Sequence, residues 1–425
     1  MDKAQIDFWR LVLERTKLFA LVLVIVGTGF SITLCGLGLG IYLVLLLLQI
    51  FFFRKENIES FPYYQLFLAL FASLVISVYI SSYFFISLRG LWKYMEGFFL
   101  LYAMIDILRG RRVLRWVIMA YLAVVLLAAW DGIIQDRTGH DLIYQRGLLP
   151  YKVLEIEPDT DEYIYLVSRI TGPFKHSNDY ATFLVPGFFI FLSLFIYGVK
   201  RNKRLWVLLS LLGLGSVGFA LVRSLSMGAW VSLFAALVFF SCLFRYRWLV
   251  LLVLGLVGVF MASTDLAGRA REILSMNYQN QEARVILFKT AHRMVQDSPF
   301  FGLGLNTYSE HFPHYKPEDY RAAMYAHNAY IQIAAEAGWV GLSLFLAYIG
   351  RLVWLFFRRL RGDISDFRFV FLAGFMAGVA GFLVNSLFDS CFQSTQLRSL
   401  FWMLMGVAFV LAQRPENFET AERPS

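Results

Sequence analysis

Residues 281–342 read QEARVILFKTAHRMVQDSPFFGLGLNTYSEHFPHYKPEDYRAAMYAHNAYIQIAAEAGWVGL. Long apolar runs flank this stretch, so it is a polar excursion between membrane spans that ends by re-entering the apolar phase. It carries four of the six histidines. Its landmarks are Arg284 on a short amphipathic helix and the turn Pro299-Phe300-Phe301-Gly302-Leu303-Gly304. The pair His327-Asn328 follows, with Glu336 and Gly338 just inside the next apolar run.

Outward from that stretch the chain is membrane-like. Of its 425 residues 59% are hydrophobic and 16% charged, and the mean hydropathy is +0.61. Backbone groups in lipid are satisfied only in helices or closed barrels, and apolar runs near 18 residues are too long for barrel strands. The expected fold is an all-α polytopic membrane protein with about twelve spans. They fall near 18–34, 37–53, 62–82, 84–108, a fifth reaching Trp130, 180–198, 205–221, 226–244, 248–262, 328–350, 368–386 and 396–413. The first has no small-residue cleavage site after it and reads as a retained span. Domains follow as an N-terminal bundle 1–262 with an outer segment 131–179, a loop 263–326, spans over 327–413 and a tail 414–425.

Charge gives the orientation. The net charge is +9, but the basic residues sit in short clusters between spans, which argues against nucleic acid. The turns at 1–17, 54–55, 109–115, 200–204, 245–247, 351–368 and 414–423 hold 23 of the 39 Lys and Arg residues. The positive-inside rule then places both termini in the cytoplasm and both long polar segments outside. Arg89, Lys93 and Glu96 share one face of the fourth span, where snorkelling to the interface is the plain reading and lining a polar cavity the alternative. The acidic run 155–162 reads as a solvated loop, since its spacing fits no calcium loop. Cys35, Cys242 and Cys391 lie in or beside apolar runs and read as buried thiols.

Arg169, Lys175, Arg223, Arg284 and His327 all map to the outer face, at or beside span ends. Arginine keeps its charge and offers a planar fork matched to phosphate oxygens. Histidine is suited to move a proton near neutral pH. Together they suit a lipid-linked pyrophosphate. His292, His311 and His314 lack further ligands at metal-binding spacing, so no metal site is expected. Gly302-Leu303-Gly304 follows a helix rather than a strand and reads as a stop and turn.

An arginine before a Pro-x-x-Gly-x-Gly turn, followed by His-Asn and then Glu-x-Gly, resembles the signature of the O-antigen ligase and polymerase superfamily of bacterial inner-membrane glycosyltransferases. The resemblance runs from about residue 165 to 345. It implies a donor glycan on undecaprenyl pyrophosphate, no cofactor, no required metal and a periplasmic active site. It assigns His327 to the acceptor hydroxyl and Arg284 and Arg169 to the pyrophosphate, with Lys175, Asn328 and Glu336 as accessory residues. Relatives commonly carry Ser-Arg-Gly-Ala-Trp where this chain has Ser226-Met227-Gly228-Ala229-Trp230. Arg223, four residues earlier, is expected to replace the missing arginine from one helical turn away. The resemblance implies a ligase that moves glycan en bloc to a lipid A-core or other glycan acceptor, with membrane lipids as the other partners. A repeat-unit polymerase is the alternative, and a transporter of the same lipid carrier the alternative of another class.

Overall fold

The computed structural model of the chain describes residues 3–53, 61–157, 160–244, 277–318, 320 and 325–413. Helices α1 (Lys3–Phe30) and α2 (Ile32–Phe53) form an antiparallel pair, followed by α3 (Tyr64–Ile80), α4 (Phe84–Ile107) and α5 (Arg111–Thr138). A two-stranded antiparallel hairpin, β1 (Leu149–Glu157) and β2 (Thr160–Arg169), comes next. Then follow α6 (Ser177–Lys200), α7 (Arg204–Arg223), α8 (Met227–Phe244), α9 (Asn277–Asp297), α10 (Tyr308–Tyr315), α11 (Ala329–Arg359), α12 (Phe367–Asn385) and α13 (Thr395–Gln413).

Eleven of the twelve expected spans lie on these helices, and the ninth, 248–262, lies outside the described residues. Among the described residues, eight helices are long and apolar enough to cross a membrane. The all-α polytopic expectation is borne out, and one local reading changes: the described residues of the acidic run 155–162 lie on the strands of the hairpin rather than in an irregular loop. Val153, Ile156, Tyr163, Ile164, Tyr165 and Val167 supply the β-branched and aromatic residues that favour strands. The cysteine reading also changes, because Cys242 is exposed while Cys35 and Cys391 are buried.

The interior is built around α12 and α13. The first packs between α6 and α8, the second against α4. Close approach rests on small residues, as is usual without a hydrophobic drive between helices in lipid. A β-carbon on Gly97 of α4 would meet the Trp402 indole of α13, and one on Gly374 of α12 would meet the Ser193 hydroxyl of α6.

The feature that positions the site is a break in α11. Gly338 sits at φ 70°, ψ 179°, a conformation that glycine adopts without strain and other residues resist. The break frees the carbonyls of Ala335 and Glu336 and the amides of Trp339 and Val340, which an unbroken helix would pair with one another. The Pro299–Gly304 turn takes all four. Leu303 N–H and Gly304 N–H donate to the Ala335 and Glu336 carbonyls, both at 3.0 Å. Trp339 and Val340 N–H donate to the Pro299 and Phe300 carbonyls at 2.8 and 3.2 Å. Two glycines make that docking sterically feasible: β-carbons on Gly302 and Gly338 would collide with the opposite backbone.

Gly338→Ala should therefore destabilise the fold by about 2 kcal/mol or more, combining left-handed strain with a backbone clash. Gly350→Ala, on the same helix with open space around its α-carbon, should be neutral or mildly stabilising. Thermal unfolding of the two purified variants in one detergent checks this, and equal midpoints would refute it.

Candidate functional site

Asn328 caps α11: its side-chain oxygen accepts from Tyr330 N–H at 3.0 Å and Ile331 N–H at 3.1 Å. The same segment is fastened to the end of α12. Ala329 N–H donates to the Ser386 carbonyl at 2.8 Å, Asn328 Nδ2 to the Leu387 carbonyl at 3.1 Å, and Tyr330 Oη to the Leu383 carbonyl at 2.7 Å. His327, immediately before the cap, adopts φ 50°. That places its Nδ1 3.2 Å from Asp389 Oδ1, with the imidazole still partly exposed at 44%.

Asp389 was missed by sequence reasoning. It stands in the short turn between α12 and α13, and its only signal was a lone carboxylate between two apolar runs on the side assigned outward. Burial works against its charged form. The His327 ring, Ser390 N–H at 2.8 Å and Asn178 Nδ2 at 3.3 Å outweigh that, so its pKa lies below the ordinary aspartate value. An ionised Asp389 accepts from Nδ1–H of His327, which leaves Nε2 as the basic nitrogen. The arrangement is a carboxylate-oriented imidazole, suited to general-base work.

Arg169 joins this cluster from the end of β2. One guanidinium nitrogen donates to Asn178 Oδ1 at 3.0 Å, and Nε donates to the Ser224 carbonyl at 2.8 Å. Arg169, Asn178, Asp389 and His327 thus form one connected chain of polar contacts. Arg223 does not extend it. Its guanidinium pairs with Asp136 of α5, Nε to Oδ1 at 2.8 Å, with a second contact from its terminal nitrogen.

The shared helical face on which Arg223 was expected to replace an arginine at Met227 is absent. α7 ends at Arg223 and α8 starts at Met227, with Leu225 at φ 50° between them, so the two do not share a helical face. Arg284 is exposed on α9, and Lys175 is exposed before α6. Among the described residues neither makes a hydrogen bond or ion pair with the His327 cluster.

Behind the cluster lies a polar interior. Glu336 is 2% exposed and accepts from Asn306 N–H at 2.8 Å and from Gln332 Nε2 at 3.1 Å. Lys93 donates to Asn306 Oδ1, and Glu96 pairs with Arg398 of α13 at 2.8 Å. Lys93 and Glu96 therefore face inward and hold partners, which corrects the snorkelling expectation; Arg89 alone of the three is exposed. Gln332 ties this interior to the dyad. Its Oε1 accepts from Ala326 N–H at 3.2 Å, one residue before His327, and from Ser390 Oγ at 2.7 Å, one residue after Asp389. One buried carboxamide thus clamps both strands of chain that carry the pair.

His311 packs edge-on against Tyr83, with ring centroids 5.0 Å apart, and burial lowers its pKa. Among the described residues no group of three or more His, Cys, Asp or Glu side chains is placed to hold a metal ion.

Residues 212–346 match a family model described as O-Antigen ligase. The teichuronic acid biosynthesis protein TuaE of Bacillus subtilis (strain 168) is 25% identical over 255 residues, covering 57% of this chain and 51% of that relative. The chain thus spans about half the length of the curated relative it matches. These matches bear out the resemblance to the O-antigen ligase and polymerase superfamily read from the motif order. The family match includes Met227, Arg284, the Pro299–Gly304 turn, His327 and Glu336, and excludes Arg169 and Asp389.

The pairing has a measurable acid signature. A carboxylate whose folded pKa is lowered contributes stability that is present above its unfolded pKa and is lost as pH falls through the folded value. His327→Ala removes contacts that depress the Asp389 pKa, so this variant should be less stable than wild type near pH 7 and should lose less stability than wild type as the pH falls. Unfolding midpoints measured from pH 7 down to pH 3 check it, and superimposable profiles would show that the pair is not formed.

Proposed function

We propose that this chain is a membrane glycosyltransferase of the ligase type, taking glycan from undecaprenyl pyrophosphate to an acceptor hydroxyl on the outer face of the bacterial inner membrane. The observation that carries this reading is the His327–Asp389 pair at the start of α11, beside Arg169. The family match over 212–346 and the glycan-biosynthesis relative support it.

In this reading the acceptor hydroxyl oxygen attacks the anomeric carbon of the donor while His327 Nε2 takes its proton. The bond from that carbon to the pyrophosphate oxygen breaks, and undecaprenyl pyrophosphate leaves with the bonding pair. Asp389 holds the imidazole in the tautomer that presents Nε2, and it stabilises the imidazolium that forms. Arg284 and Arg169 offer planar donors for the departing charge; a preorganised donor contributes about 3–4 kcal/mol in well-studied sites. Arg223 serves the pyrophosphate only by exchanging Asp136 for a phosphate oxygen. Gln332 fixes the spacing of His327 and Asp389. The acceptor proposed is lipid A-core or another glycan.

The direct test incubates purified protein with lipid-linked glycan and candidate acceptors, and resolves products by size. His327→Ala should lower transfer by roughly 10²–10⁴-fold, the usual contribution of a general base. Asp389→Asn favours the wrong tautomer and should lower kcat with KM nearly unchanged. Arg284→Lys keeps the charge, loses the fork and should fall well below wild type at unchanged expression. Full transfer by His327→Ala would remove this mechanism.

Cells lacking the protein should still build long lipid-linked glycan and fail to attach it to the final acceptor. Accumulation of single repeat units on the carrier, without long chains, would make the protein a polymerase instead.

A further inference from the structure

The bundle holds a second polar chamber at the end remote from His327. α4 starts beside the Gly304 turn, where Ser87 Oγ accepts from Leu305 N–H at 2.8 Å. It then runs 24 residues to Ile107, a rise of about 36 Å. At that far end a cavity of about 270 Å³ opens between the N-terminal half of α1 and the connection from α4 to α5. Its charged lining is Arg10, Glu14, Arg15, Lys17, Asp106 and Arg109.

Four cations face two carboxylates, and the carboxylate on the floor of the chamber is already paired. Asp106 accepts from Lys17 at 2.5 Å, Arg109 at 2.7 Å and the Tyr42 hydroxyl at 3.2 Å, and Lys17 also donates to Gln49. Lys17 and Asp106 are each 4% exposed, so this knot is a fixed part of the fold. The mouth is different. Arg10 and Arg15 stand there against Glu14 alone. The Nε–H of Arg10 is shut off from solvent and has no hydrogen-bond acceptor among the described residues. A buried guanidinium N–H without an acceptor is costly, and an anion at the mouth would relieve it.

The flank of the mouth identifies the kind of anion. Phe8, Trp9 and Leu11 are exposed on α1 around Arg10, and Trp116 is exposed on the neighbouring α5. Exposed tryptophan and phenylalanine beside arginines mark the headgroup level of a bilayer. A free phosphate would use the charges and leave that apolar collar unused. A lipid would use both, with its phosphate between Arg10 and Arg15 and its chains along Leu11 and Phe8.

We propose that this chamber binds the phosphate of an anionic membrane lipid in the leaflet opposite the His327 site. Arg10 and Arg15 act as the donors. Glu14, exposed and in no hydrogen bond or ion pair among the described residues, weakens the binding and sets its strength.

The test uses the full chain in detergent, titrated separately with phosphatidylglycerol, phosphatidylcholine and inorganic phosphate. Retained lipid is counted by native mass spectrometry, and the unfolding midpoint is followed in parallel. Phosphatidylglycerol should be retained in preference to phosphatidylcholine and should raise the midpoint, and inorganic phosphate should not. Arg10→Gln with Arg15→Gln should weaken retention about fivefold per arginine removed. Glu14→Gln takes away a repulsive charge without removing a contact and should strengthen retention, a result that does not depend on the double variant folding. Equal retention of the two lipids, equal retention by wild type and double variant, or no gain with Glu14→Gln would each overturn the proposal. A midpoint rise with inorganic phosphate that matches phosphatidylglycerol would reassign the chamber to a free anion.

Discussion

The site depends on a backbone exchange. A helix crossing lipid has no water to satisfy a broken hydrogen bond, so the interruption at Gly338 is tolerable only because other protein groups replace the lost partners. The turn from Pro299 to Gly304 does so with four main-chain bonds, and Ser77 Oγ adds a fifth contact at 2.8 Å to the Glu336 carbonyl. The polar residues of α11 are placed by that seam. Glu336 stands within it, Gln332 lies one turn above and His327 just before the cap.

Much of this was legible in the sequence, and the reasons are physical. Apolar runs of span length report helices directly, because lipid admits little else. The order arginine, glycine turn, His-Asn and Glu-x-Gly located the stretch that carries the seam. What stayed hidden were pairings set by tertiary geometry. Asp389 meets His327 across 62 residues, and nothing in the short Asn385–Ser390 turn distinguishes it from a solvated aspartate. Arg398 has the same history, since its partner Glu96 lies 302 residues away. The shared face assumed for Arg223 and Met227 is missing because helical periodicity was carried across Ser224–Ser226, where the helix ends and restarts. Lys93 and Glu96 went the other way: their shared face was legible, but whether it met lipid or protein depended on where α13 and the turn were placed.

The charges are arranged in two ways. Around the interior they are paired and buried, as with Arg398–Glu96 and Lys17–Asp106, so they cost desolvation and fix geometry rather than add much stability. Nearer the mouths they are partly exposed, as with His327 and Arg223, and a ligand can reach them. Arg223 occupies a middle position, because its side chain is 27% exposed while bound to Asp136.

The seam between the turn and α11 is written in main-chain atoms, with glycine required only where two backbones touch. It is therefore indifferent to most side chains around it and to the length of chain between its two halves. The turn and α11 thus form a frame that is already closed, like a fixed doorway that takes different panels. The sequence that joins the two halves is open to exchange during divergence. New surfaces can be fitted there while His327 keeps its place, so one frame can carry different neighbouring surfaces.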